Sequence, residues 1–140
     1  MTYRITEAPD GALITVSFSG FVDDAEIMQV MDEVFSLESF NTADQFIDFS
    51  GVTDYEVTPG GLKAYTEVAK ARPERRDARA DRNIVFYAPD DLTFGMSRLV
   101  AAVADNVNIK LQVCRDLSEA LTLLGLTEIP TKSYKNGTSN

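Results

Sequence analysis

Asp48, Asp54 and Glu56 lie close together where an apolar stretch gives way to polar residues, and three carboxylates so placed could hold Mg or Ca through oxygen, or do acid-base work. Their spacing matches no calcium loop. Acidic residues crowded in an acidic chain are ordinarily a solvated surface. Thr58 stands before Pro59, where the backbone N–H groups and dipole of a starting helix would stabilise an added phosphate. The plainer reading is helix punctuation, Thr as N-cap and Pro as first residue. Gly60 and Gly61 follow, but without the Lys-Ser/Thr pair of a phosphate loop or dinucleotide glycine spacing they do not make a nucleotide site.

Arg72, Arg75, Arg76, Arg79 and Arg82 are interleaved with Glu74, Asp77 and Asp81, which suits either a phosphate or acidic-partner contact or a solvated run pairing with itself. Cys114 closes an apolar strand with no second cysteine, so packing is its default role. Phe21, Tyr55, Tyr65, Phe94 and Met96, with Phe40, fall in or beside loops and helix starts. They could line a groove for a small apolar, lipid-like ligand, or part of a homodimer face.

The chain that must position these groups has 140 residues, 44% hydrophobic and 25% charged, the composition of one globular domain. At this length roughly 68 to 70% of the unfolded surface can be buried, so no metal or disulfide is required for stability. A net charge of -9 opposes nucleic acid and anionic membranes. The chain has no His and one Cys, so Ser-His and Cys-His dyads and His- or Cys-rich zinc sites are excluded. No cofactor or metal is expected. Without a signal-like start or an apolar run of about 18 residues, the expected location is cytoplasmic, without membrane insertion.

Tyr3 to Ala8 and Ala12 to Phe18 read as strands of a hairpin turned by Pro9-Asp10-Gly11. After Gly20, Asp23 or Asp24 can cap a helix carrying Ile27, Val30, Met31, Val34 and Phe35 to about Ser36. Gln45 to Phe49 is a short strand. A helix from Pro59 to Arg72 follows, then a strand from Asn83 to Ala88. Asp90 or Asp91 can cap a helix reaching about Asp105, with Gly95 as a close-packing point. Ile109 to Cys114 forms the last strand, and Asp116 caps a helix stopped at Gly125. The order β-β-α-β-α-β-α-β-α implies an α/β domain over residues 1–126, a five-stranded mixed sheet packed by four helices with right-handed crossovers. Residues 127–140 read as a polar, flexible tail.

The run Phe46-Ile47-Asp48-Phe49-Ser50-Gly51-Val52-Thr53, leading through Pro59-Gly60-Gly61-Leu62 into a helix, resembles the STAS domain. The nearer likeness is to the SpoIIAA-like (STAS/SEC14-like) branch of small bacterial proteins. It rests on the opening hairpin, Ile84-Val85-Phe86-Tyr87, Phe94-Gly95-Met96-Ser97-Arg98 and the closing Cys114-Arg115-Asp116-Leu117-Ser118-Glu119-Ala120-Leu121, across residues 3 to 125. In signalling STAS proteins the corresponding loop carries Asp-Ser-Ser-Gly-Leu, with one serine phosphorylated to control a partner kinase. Aligned on Gly61-Leu62, both serine positions become Pro59 and Gly60, leaving Thr58 as the only substitute acceptor. Some proteins of the branch are suspected of holding small apolar ligands.

The resemblance and the missing catalytic set imply a non-enzymatic regulatory or protein-interaction module. It would bind a partner protein, and also itself, through a loop containing Thr53, Asp54, Tyr55, Thr58, Gly60 and Gly61. Thr58 is its expected regulatory phosphosite. The alternative is a carrier or sensor of a small apolar ligand.

Overall fold

A computed structural model describes residues 3–71, 81–103, 109–129 and 133–136. Strands β1 (Tyr3–Glu7) and β2 (Leu13–Asp23) form the hairpin, with Ile5 opposite Val16 and the turn closed by Ala8 N–H donating to the Leu13 carbonyl at 2.8 Å. Helix α1 (Asp24–Phe35) starts at Asp23, whose carboxylate accepts from the Glu26 N–H at 2.9 Å. A 3-10 turn at Glu38–Asn41 leads into β3 (Asp44–Glu56). Then follow α2 (Pro59–Ala71), β4 (Arg82–Tyr87), α3 (Asp91–Val103), β5 (Ile109–Cys114), α4 (Leu117–Leu124) and β6 (Ser133–Asn136).

The sheet order is β5-β4-β3-β2-β1-β6, with β2 to β5 mutually parallel and β1 antiparallel to both its neighbours. This is the expected mixed α/β sheet packed by four helices, and all five expected strands are in it. Ser133–Asn136, in the segment read as a tail, adds a sixth by pairing with β1. Nothing apolar announces such a strand, because a sheet edge can be extended by main-chain hydrogen bonds alone.

Alternation along the strands divides the core between two faces. Ile14, Val16, Ile47, Phe49 and Phe86 meet Val30 and Val34 of α1 and Met96 of α3 on one face. Phe46, Val85 and Cys114 meet Ala120 of α4 on the other. The rings of Phe18 and Phe49 stack at 5.2 Å, and Phe86 meets Phe49 edge-on at 5.7 Å. No helix among the described residues is long and apolar enough to cross a membrane.

Several details differ from the sequence reading. β2 continues past Phe18 to Asp23, and β3 continues past Phe49 to Glu56. Thr53, Asp54 and Tyr55 are therefore strand residues rather than loop. The two strands keep pairing through bulges between Ser17 and Ser19 and between Gly20 and Phe21. Gly20 reads locally as a breaker, yet β2 runs through it at a φ of 73°, a left-handed conformation that glycine adopts without strain, while β3 carries the extra residues of the bulges. Gly95 is not a close-packing point: among the described residues, no atom beyond its chain neighbours and its own helix backbone lies within 4 Å of where its Cβ would be.

Arg82 reads as the end of a solvated charge run, but it is 2% exposed. Its guanidinium donates to the Phe40 carbonyl at 2.9 Å and lies 5.7 Å from the Phe40 ring centroid. A guanidinium can donate to a carbonyl and keep its charge over an aromatic ring at once, and both contacts help this cation to be tolerated inside. The remaining arginines of that run, Arg72, Arg75, Arg76 and Arg79, lie outside the described residues.

Candidate functional site

Among the described residues, β4 accompanies β3 only as far as the Asp48–Tyr87 pair, and β1 meets β2 no further along than the Tyr3–Phe18 pair. Beyond these points, among the described residues, Ser19–Asp23 and Gly51–Glu56 pair only with each other, and a two-stranded parallel ribbon projects from the sheet. Val22 and Val52 anchor its inner side in the core. Its outer side shows Thr53 and Asp54, with Phe21, 44% exposed, in register with Asp54. Tyr55 is half-buried against the core, in register with Val22.

The ribbon delivers the chain to the start of α2, where one carboxylate organises the turn. Asp24 Oδ1 accepts from the Thr58 N–H at 3.1 Å and from the Tyr65 hydroxyl at 2.9 Å, while Oδ2 accepts from the Thr58 hydroxyl at 2.5 Å. The Thr58 oxygen in turn accepts from the Gly61 N–H at 3.0 Å, the N-cap bond foreseen from the Thr-Pro pair. Gly61 leaves room for this carboxylate, since a Cβ there would lie 2.1 Å from Asp24 Oδ1. Gly60 is exposed and has no such constraint.

These contacts set the proton affinities. Partial removal from water would raise the Asp24 carboxyl, but the hydrogen bonds from Thr58 and Tyr65 outweigh it and hold the group below the usual carboxylate range. The Tyr65 phenol is pushed well above its ordinary value by burial first, then by its bond to Asp24 and the charges of Asp24 and Asp23. Asp24 thus stays ionised and Tyr65 stays a donor across the neutral range. The sequence reading offered Asp24 only as a cap for its own helix. Two adjacent acids at one helix start are the only signal; Asp23 takes the capping, which frees Asp24 to reach across to α2.

The acidic residues are not gathered into a binding cluster. Asp48 accepts locally from the Ser50 N–H and Asp54 from the Tyr55 N–H, and no group of three or more His, Cys, Asp or Glu arranged for a metal occurs among the described residues.

The residues offered for an apolar groove are not gathered on one open surface among those described. Tyr65 and Met96 are buried at 4% and 3% exposure, so neither can meet a ligand without unpacking. Phe40 is buried as well. Phe94 lines a cleft of about 480 Å3 with Arg98, Ala101 and Val113, and Phe21, Tyr55, Tyr65 and Met96 do not contribute to it. Cys114 is buried, its thiol pushed up by desolvation and then by the charges of Glu119 and Asp116.

No protein-family model matches the chain, and no curated protein matches it significantly. A structural likeness does exist, to an uncharacterized protein of the DUF3478 family with a SpoIIAA-like fold from Shewanella loihica PV-4. The two share 9% sequence identity at a TM-score of 0.50, over 87% of this chain and 91% of that one. The fold is therefore SpoIIAA-like, as the resemblance implied.

Proposed function

We propose that the chain is a non-enzymatic, STAS-like regulatory module that binds a partner protein, and a second copy of itself, through the ribbon and the start of α2. The binding face comprises Phe21, Thr53, Asp54 and Tyr55 with the turn Thr58–Gly61. One observation carries this reading: the exposed ribbon runs directly into a turn that Asp24 pins by two hydrogen bonds from Thr58, with a third from Tyr65 within α2. A surface held in one shape before contact loses little entropy when it binds. Thr58 is also the natural point of control. Phosphorylation would replace the proton it donates to Asp24 with a charge of about -2, repelling the carboxylate and releasing α2. The apolar-carrier alternative is less favoured, because Tyr65 and Met96 are packed into the interior.

Photo-crosslinkable residues at Thr53 and at Lys110, on the far edge of the sheet, test the proposal in cells of the native host. Adducts to a partner or to a second copy are expected from position 53 and lost in an Asp54→Arg background. Adducts from position 110 alone, or none from position 53, would overturn it.

A further inference from the structure

At the opposite end of the sheet, β5 pairs with β4 alone among the described strands, so its outer N–H and C=O groups face away from the sheet. The cleft lined by Phe94, Arg98, Ala101 and Val113 runs between this edge and α3. Cations bracket it. The Arg98 guanidinium lies 5.9 Å from the Phe94 ring centroid, and that of Arg115, just past the strand end, lies 4.9 Å away. Lys110 is exposed on the far face of β5. We propose that this edge and its cleft dock an extended segment of a partner protein that carries apolar and acidic side chains.

The segment would add a strand to β5, setting its apolar side chains against Phe94 and Val113 on the cleft face, its alternate carboxylates on the opposite face toward Lys110, and a carboxylate at its end near Arg98 and Arg115. A small molecule is a poorer fit. The cleft has the volume of a ligand pocket but is open along one side, whereas a bound small ligand ordinarily has roughly 70–90% of its surface buried. A peptide compensates with main-chain hydrogen bonds to the strand. A second copy pairing edge to edge about a two-fold axis would bring Lys110 and Arg115 to both sides of the seam, and β5 offers no acid to meet them. Arg115 already holds the Asp91 carboxylate at 2.5 Å, but that acid is 92% exposed, and so open a pair exchanges for an incoming carboxylate at little cost.

The test uses fluorescein-labelled nine-residue peptides: alternating Val and Glu, alternating Val and Lys, and the Val-Glu peptide with every second amide N-methylated. Binding is followed by anisotropy and by amide shifts of the labelled protein. The Val-Glu peptide is expected to bind, with shifts centred on Ile109–Cys114, at least tenfold tighter than either control. Arg98→Glu and Lys110→Glu should each weaken it severalfold, and Asp91→Ala should tighten it by freeing Arg115. Overturning results are no binding at millimolar peptide, shifts centred on β6 or the ribbon, or equal binding of the N-methylated peptide. Decanoate shifting the same amides as strongly at equal concentration would also overturn it, in favour of a small amphiphile.

Discussion

Asp24 and Thr58, 34 residues apart, are joined by two hydrogen bonds, one from the Thr58 N–H and one from its hydroxyl, so the first residue of α1 fixes the residue that caps α2. The Tyr65 hydroxyl adds a third contact from within α2. Strand pairing and core burial place the two helices side by side. This carboxylate locks their N-terminal ends in register.

Asp24→Ala strands the Thr58 N–H and hydroxyl and the Tyr65 hydroxyl. A loss of about 1–3 kcal/mol is expected, against about 1 kcal/mol for Tyr65→Phe. Urea unfolding followed by circular dichroism measures both. In a double-mutant cycle the pair should be non-additive by at least about 0.5 kcal/mol, because one acceptor serves both donors.

Gly61→Ala places a methyl group where the Asp24 carboxylate sits. The substitution should destabilise about as much as Asp24→Ala, although alanine favours helix by roughly 1 kcal/mol over glycine. In the Asp24→Ala background its sign should reverse, to neutral or stabilising. Equal destabilisation in both backgrounds would show that the carboxylate is not what excludes the side chain.

Acid should weaken the fold through Asp24 and Asp90, both held below the ordinary carboxylate range. At Asp90, burial raises the carboxyl, but hydrogen bonds from the Thr93 N–H and hydroxyl and nearby backbone N–H groups prevail. The unfolded chain takes up these protons first, at an ordinary pKa of about 3.9. The stabilisation is therefore complete above about pH 5 and is lost as pH falls through 4 and below. Urea midpoints at pH 7, 4 and 3 should fall in that order, less steeply for the Asp24→Ala/Asp90→Ala variant.

Alkali acts through the phenols. Burial raises both Tyr3 and Tyr65, helped by the bonds they donate to Glu33 and Asp24 respectively. In the unfolded chain they ionise near pH 10, while in the fold they remain protonated, so stability declines as pH rises above about 10. Absorbance at about 295 nm should show these two phenols titrating only as the protein unfolds. Their ionisation in a protein still folded would refute the assignment.

Arg82→Ala removes a buried cation from the Phe40 carbonyl and ring. About 2–3 kcal/mol of destabilisation is expected, and Arg82→Lys should recover only part of it, because an ammonium lacks the delocalised, forked guanidinium that reaches both the carbonyl and the ring. Thermal unfolding of the two variants against the parent decides the matter.

Hydrophobic period and punctuation alone were enough to determine the order of the first five strands and four helices and the Thr58 and Asp116 caps, because each is set by neighbours within a turn or two. Tertiary structure decided the rest. That β2 and β3 run on past Gly20 and Ser50-Gly51 depends on each finding the other as a partner, and local sequence there signals breaks. That Tyr65 and Met96 are interior rather than groove-lining follows from helix orientation, which a single stripe does not report. Which of Asp23 and Asp24 caps α1, and which crosses to Thr58, turns on where α2 comes to lie. Arg82 shows the same limit: a cation in a charged run looks solvated until a distant carbonyl and ring, those of Phe40, are folded against it. Contacts across 30 or 40 residues carry no periodic signature, so only the folded chain reveals them.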